Sequence, residues 1–261
     1  MSLAEWKQYD NEQLARYARI QQANLAFDAE VEDPSCATAA EALVCYFRAQ
    51  GDRGALQAVE DLLLQTEDPD WQDLLVALAT GRFPTPDGYL DYGAYGHFQL
   101  PPEMRGDSGF APQYRDPWPS SQNQVGHFLS ILDMALRYER YTFPYDRFML
   151  WAAVGHELEP DPKGKLAQVI AGISKELEIL RTEGRTLYDV FMYGSEEDLR
   201  RLLGDDVHSR EGNSLQDLLL SRKAFELAQL LVDPNSPIRT AEDVAQWIEE
   251  NLVGQEGAHE R

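Results

Sequence analysis

The chain has 261 residues, 43% of them hydrophobic, with 5 Trp, 12 Tyr and 10 Phe, which is ample for one large packed domain or two small ones. Its 45 acidic residues against 23 basic ones give a formal charge of -22, a field that repels nucleic-acid phosphates and anionic membrane surfaces and so argues against both as partners. No run reaches the roughly 18–20 apolar residues that span a bilayer, and the N-terminus has no basic start followed by an apolar stretch, so the expected location is cytoplasmic.

Helical periodicity begins early. From Glu5 to about Phe27, Leu14, Tyr17, Ala18 and Leu25 fall on one side, and Glu30 to Pro34 ends that helix. Ala37 to Gln50 carries Leu43, Val44 and Phe47 at helical spacing. Gly51-Asp52 breaks the pattern, Ala55 to Gln65 resumes it with Leu56, Val59, Leu62 and Leu63, and Trp71 to Thr80 predicts a shorter helix stopped by Gly81. Cys36 and Cys45 are nine residues apart, a spacing that fits neither a zinc knuckle nor a CxxC redox pair, so both read as small buried hydrophobes.

Residues 83–119 differ from everything before them. They contain seven of the fourteen prolines and five of the eighteen glycines, which excludes a long helix or a regular strand. They also contain eight aromatics, and disordered segments are poor in aromatics, so an ordered loop packed on the bundle is expected. The loop leads into the next helix and offers His97, Arg105, Asp107, Arg115, Asp116 and Trp118 as contributors to a site.

The stretch 120–161 predicts a helical hairpin. Ser120 and Ser121 suit an N-cap, and Val125, Phe128, Leu129, Leu132 and Leu136 form one face of a helix ending near Tyr138. Pro144 suits the first turn of a second helix whose segment from Phe148 to Val154 is apolar nearly all round, hence central and buried. A short connection makes the two helices antiparallel neighbours. At about 1.5 Å per residue, His127 and His156 then lie at the same height, roughly 17 Å from the turn. Gly126 and Gly155 each precede a histidine, where a missing side chain permits close backbone approach or ligand access. Pro160 and Pro162 stop the second helix after Glu157 and beside Asp161.

Beyond the hairpin, Leu166, Val169, Ile170, Ile173, Leu177 and Leu180 predict an amphipathic helix over 163–181, ended by Gly184. Leu187 to Tyr193 reads as a short buried helix, and Ser195 caps another whose first turn is acidic. Gly212-Asn213-Ser214 caps a longer helix with Leu215, Leu218, Leu219, Phe225 and Leu230 as its core face. That assignment leaves Asp217 and Ser221 on a different, solvated side, unless that side turns toward the hairpin mouth. Thr240 to Leu252 predicts the final helix, and 254–261 reads as a frayed tail.

Strong catalytic signatures are absent: the sequence has no phosphate-binding glycine loop, dinucleotide fingerprint, HExxH, nucleophile elbow or zinc-finger spacing. What remains is His127, His156 and Glu157 as catalytic candidates, the same three with Asp161 as ligands for a divalent metal, and His97 and Asp217 as remote contributors. Two imidazoles and carboxylates can bind zinc, iron or manganese with positions left open for water or substrate. Without metal, they can supply a histidine base oriented by a carboxylate. A histidine on an apolar face is equally a core histidine satisfied by an acid.

The expectation is an all-α fold: a single helical domain over 1–253 with eight to ten helices and one long ordered loop. Its function is read as an enzyme of hydrolase type acting on a small molecule at the open end of the hairpin. The rival is a non-catalytic acidic protein, of immunity, adaptor or effector type, that binds a basic protein partner.

Overall fold

Apolar residues spaced three and four apart become α-helices throughout the described chain. The computed structural model describes Ala26, Glu30 and residues 38–63, 109–115, 124–158, 165–204 and 214–253. Within them, nine α-helices run in order: α1 (Ala39–Gln50), α2 (Ala55–Leu63), α3 (Gln124–Arg140), α4 (Tyr145–Leu158), α5 (Lys165–Glu183), α6 (Leu187–Tyr193), α7 (Glu196–Leu203), α8 (Leu215–Val232) and α9 (Ala241–Asn251). The fold is all-α; the described residues hold isolated β-bridges but no sheet. The helices expected over 5–27 and 71–80, the tail 254–261, and all of the 83–119 loop except 109–115 lie outside the described residues.

The helix starts follow local chemistry. Thr38, Thr186, Ser195 and Thr240 each accept from a backbone N–H three residues on, where Glu41, Asp189, Asp198 or Asp243 reaches back to the cap. These capping boxes satisfy amides that have no partner inside the helix. Ser214 caps α8 through the amide of Asp217, so the start of α8 and the orientation of that acid are settled together.

Helix-on-helix contacts carry the architecture. Helix α3 lies against α8, α4 lies between α3 and α5, and α9 closes over α1 and α2. One contiguous core runs through them, including Tyr46, Phe47, Phe128, Phe191 and Phe225. The segment around Phe110 is packed onto this body: Phe110 is fully buried, its ring lies 6.4 Å from that of Phe128, and the Ala111 amide donates to the Leu252 carbonyl at 2.7 Å. A described piece of the aromatic loop therefore docks beside the start of α3, one residue from His127.

Helix α5 departs from the expected pattern. Val169 and Ile179 are buried with Gln168 and Glu176, while Ile170, Leu177 and Leu180 are exposed. The stripe that meets α4 is set by backbone contact rather than by side-chain hydrophobicity. A Cβ added at Gly155 would stand 1.8 Å from the Gln168 carbonyl oxygen, and one at Gly172 would stand 2.4 Å from the Trp151 carbonyl oxygen. The glycines let the two helices touch main chain to main chain, and that crossing selects which face of α5 turns inward.

Candidate functional site

Helix α3 presents Gln124 and His127 three residues apart, and α8 presents Asp217 and Ser221 four residues apart, so each pair lies on one face of its helix. Facing one another, they form two polar rungs. Gln124 Nε2 donates to Asp217 Oδ1 at 3.0 Å, and His127 Nε2 lies 3.0 Å from Ser221 Oγ. Helix α4 adds Glu157, whose Oε1 is 3.3 Å from His127 Nε2 and accepts from Ser221 Oγ at 3.5 Å. It also adds His156, whose ring centroid is 5.9 Å from that of His127. From α5, Gln168 Nε2 meets His156 Nδ1 at 2.9 Å.

The antiparallel hairpin thus brings His127, His156 and Glu157 to one place. One ligand-type atom from each lies within 4.8 Å of the others. Asp161 and His97, with Arg105, Asp107, Asp116 and Trp118, lie outside the described residues. Arg115 is described and is held in its own loop by donating to the Phe110 carbonyl.

The expected solvation of Asp217 and Ser221 is corrected by the structure. Asp217 is 4% exposed and Ser221 1%. The reason is that α8 is enclosed on several sides: Leu220, Ala224, Leu227 and Ala228 are also fully buried, while Leu219 and Leu230, counted in the expected core face, are only half-buried. Sequence reading missed Gln124 and Gln168 as members of the cluster. A lone glutamine in an amphipathic helix carries no distinguishing signal, whereas Asp217 and Ser221 at i and i+4 in a largely apolar helix were visible as an anomaly.

Burial sets the electrostatics. The His156 imidazole is pushed down to about 4, mainly because it is removed from water and next because the adjacent His127 ring opposes a second positive charge, with Asp217 pulling the other way. His156 is therefore neutral near pH 7, the state in which an imidazole can bind a metal. Asp217 is pushed up by burial, against the donors Gln124 and Ser214 that favour its charged form.

Geometry separates the two chemistries. In a serine–histidine–acid relay, the acid holds Nδ1 while the serine faces Nε2. Here Ser221 and Glu157 both meet Nε2 of His127, so the acid occupies the nitrogen that would have to take the proton. For a metal, the His127–Glu157 spacing fits, within a set of three donors that spans up to 4.8 Å. Two donors bonded to a tetrahedral zinc at about 2.0–2.1 Å stand about 3.3–3.4 Å apart, and His127 Nε2 to Glu157 Oε1 is 3.3 Å.

Comparison with protein-family models, with curated proteins and with solved structures finds no match for this chain.

Proposed function

We propose that the chain is a metal-dependent enzyme of hydrolytic type, with His127, His156 and Glu157 as the ligands of one divalent cation. The observation that carries this reading is the convergence of three donors from two helices within 4.8 Å, in a buried polar cluster. Buried polar groups inside a helical bundle cost stability unless every partner is supplied, so a cluster of this size is better explained by use than by packing. Three protein ligands leave coordination positions for water and substrate, and a bound divalent metal supplies Lewis acidity and a water of lowered pKa. The residues around it have separable duties. Ser221 hydrogen-bonds Glu157 and, in the metal-free protein, meets His127 Nε2, so it holds the two donors in register until a cation would take that nitrogen, and the Gln124–Asp217 rung keeps α3 and α8 aligned behind them.

The test is elemental mass spectrometry on protein purified without chelator. Near-stoichiometric zinc, iron or manganese is expected in the wild type and is lost in His127→Ala and His156→Ala, with the fold retained by circular dichroism. Absence of metal, with no uptake on titration, removes the reading. It would leave the acidic-partner reading, for which the -22 charge speaks and which demands binding to a basic protein that weakens steeply with salt.

A further inference from the structure

Gln168 lies early in α5, opposite His156 on α4, and its reach is set by the backbone. Because Gly155 admits the Gln168 carbonyl to van der Waals distance, the two helices run close enough for a side chain at 168 to meet the ring at 156 directly. The contact is 2.9 Å from amide nitrogen to Nδ1. Gln168 is 1% exposed, and its Oε1 has no hydrogen-bond partner among the described residues. One end of a buried amide is engaged and the other is idle. A half-turn about the terminal torsion exchanges them without moving the helix.

We propose that Gln168 is the positioning residue that decides which nitrogen of His156 carries the proton, and that its amide turns over when the site takes up a divalent metal. The proposal rests on the reading of His127, His156 and Glu157 as metal ligands. With the NH2 donating, Nδ1 must be bare. The neutral ring then carries its proton on Nε2, the nitrogen that Gln168 does not engage, and a protonated nitrogen has no lone pair to offer a cation. With the amide turned over, Oε1 accepts from Nδ1–H, and Nε2 is free to bind. Metal uptake therefore selects one tautomer and one amide orientation together, as outer-shell partners of metal-bound histidines do.

The experiment is long-range 1H–15N correlation spectroscopy of the histidine rings, with His156 assigned by its loss in His156→Ala, combined with zinc titration. Metal-free wild type is expected to show the Nε2–H tautomer, and zinc-loaded wild type Nδ1–H with Nε2 bound. Gln168→Glu, an acceptor only, should show Nδ1–H already without zinc and bind zinc at least as tightly as wild type. Gln168→Met, equal in length but unable to hold Nδ1 in the same way, should bind zinc about 10- to 100-fold more weakly. Nδ1–H in metal-free wild type, or an unchanged zinc affinity in Gln168→Met, overturns the proposal. If wild type takes up no zinc, the metal reading and the metal-driven turnover both fall, while a tautomer change in metal-free Gln168→Glu still supports the positioning role.

Discussion

Asp217 shows how much one buried side chain can be asked to do. It accepts from Gln124 and Ser214 while 4% exposed, and its amide is the donor that Ser214 uses to cap α8. Replacing it with leucine strands two buried donors, each costing about 1–3 kcal/mol. Asp217→Asn keeps one acceptor, and Gln124, whose Oε1 has no partner among the described residues, can turn to accept the new amide. Asn is therefore expected within about 1 kcal/mol of wild type and Leu clearly below it, in urea unfolding at pH 7. The pH dependence follows from the raised pKa of Asp217. A carboxyl held above its unfolded value penalises the folded state when ionised, and the penalty is relieved as pH falls toward that raised value. Wild type should thus gain on Asp217→Asn as pH falls from 7 toward the ordinary carboxylate range. A wild-type advantage that grew with rising pH would mean that the donors outweigh burial.

At the scale of elements, the crossing of α4 over α5 is the arrangement most exposed to single changes. Its contact is glycine against backbone, which leaves no flexible side chain to yield. A methyl added at Gly155 would stand 1.8 Å from the Gln168 backbone carbonyl oxygen, which cannot swing aside as a side chain could, so it must push the helices apart. Gly155→Ala is expected to destabilise by at least the 1–3 kcal/mol or so typical of overpacking, read as a lowered melting midpoint. It should also weaken any metal binding, because Gln168 and His156 separate. Helix propensity works in the opposite direction, since alanine is favoured over glycine by about 1 kcal/mol. A higher melting temperature in Gly155→Ala would show that propensity wins and that the helices are not in backbone contact.

Across the whole molecule, charge and packing oppose each other. Local ion pairs tie elements together: Arg48 bonds Glu249 at 2.5 Å and so links α1 to α9, and Arg140 bonds Glu60 at 2.5 Å and links α3 to α2. Such partly exposed pairs contribute about 0–1 kcal/mol each and weaken with salt. Against them stands a net charge of -22, whose self-repulsion is relieved by the same salt. The excess of acid over base is large compared with a handful of exposed pairs, so repulsion should dominate. Raising sodium chloride from about 10 to 150 mM, over which the screening length falls from about 30 to 8 Å, is expected to raise the urea midpoint. A midpoint that falls would show that the ion pairs matter more than the net charge.

Periodicity, caps and breakers are local properties, which is why the helices from α1 to α9 could be read from the chain in order, with ends within a few residues. The hairpin was legible for the same reason: a short turn and a constant rise per residue place His127 and His156 at one height without reference to anything else. Which face of α5 is buried was not legible, because Ile170, Leu177 and Leu180 are as apolar as Val169 and Ile179, and only the glycine contact between α4 and α5 chooses between them. The burial of Asp217 and Ser221 was likewise undecided, since a helix enclosed on several sides carries no single polar face to read. Local sequence thus determined the helices and the meeting of two histidines and an acid. The tertiary structure alone decided that Gln124, Gln168, Asp217 and Ser221 surround them, because contacts between different helices, from 12 to 94 positions apart, depend on how those helices pack, and packing is not written in any one of them.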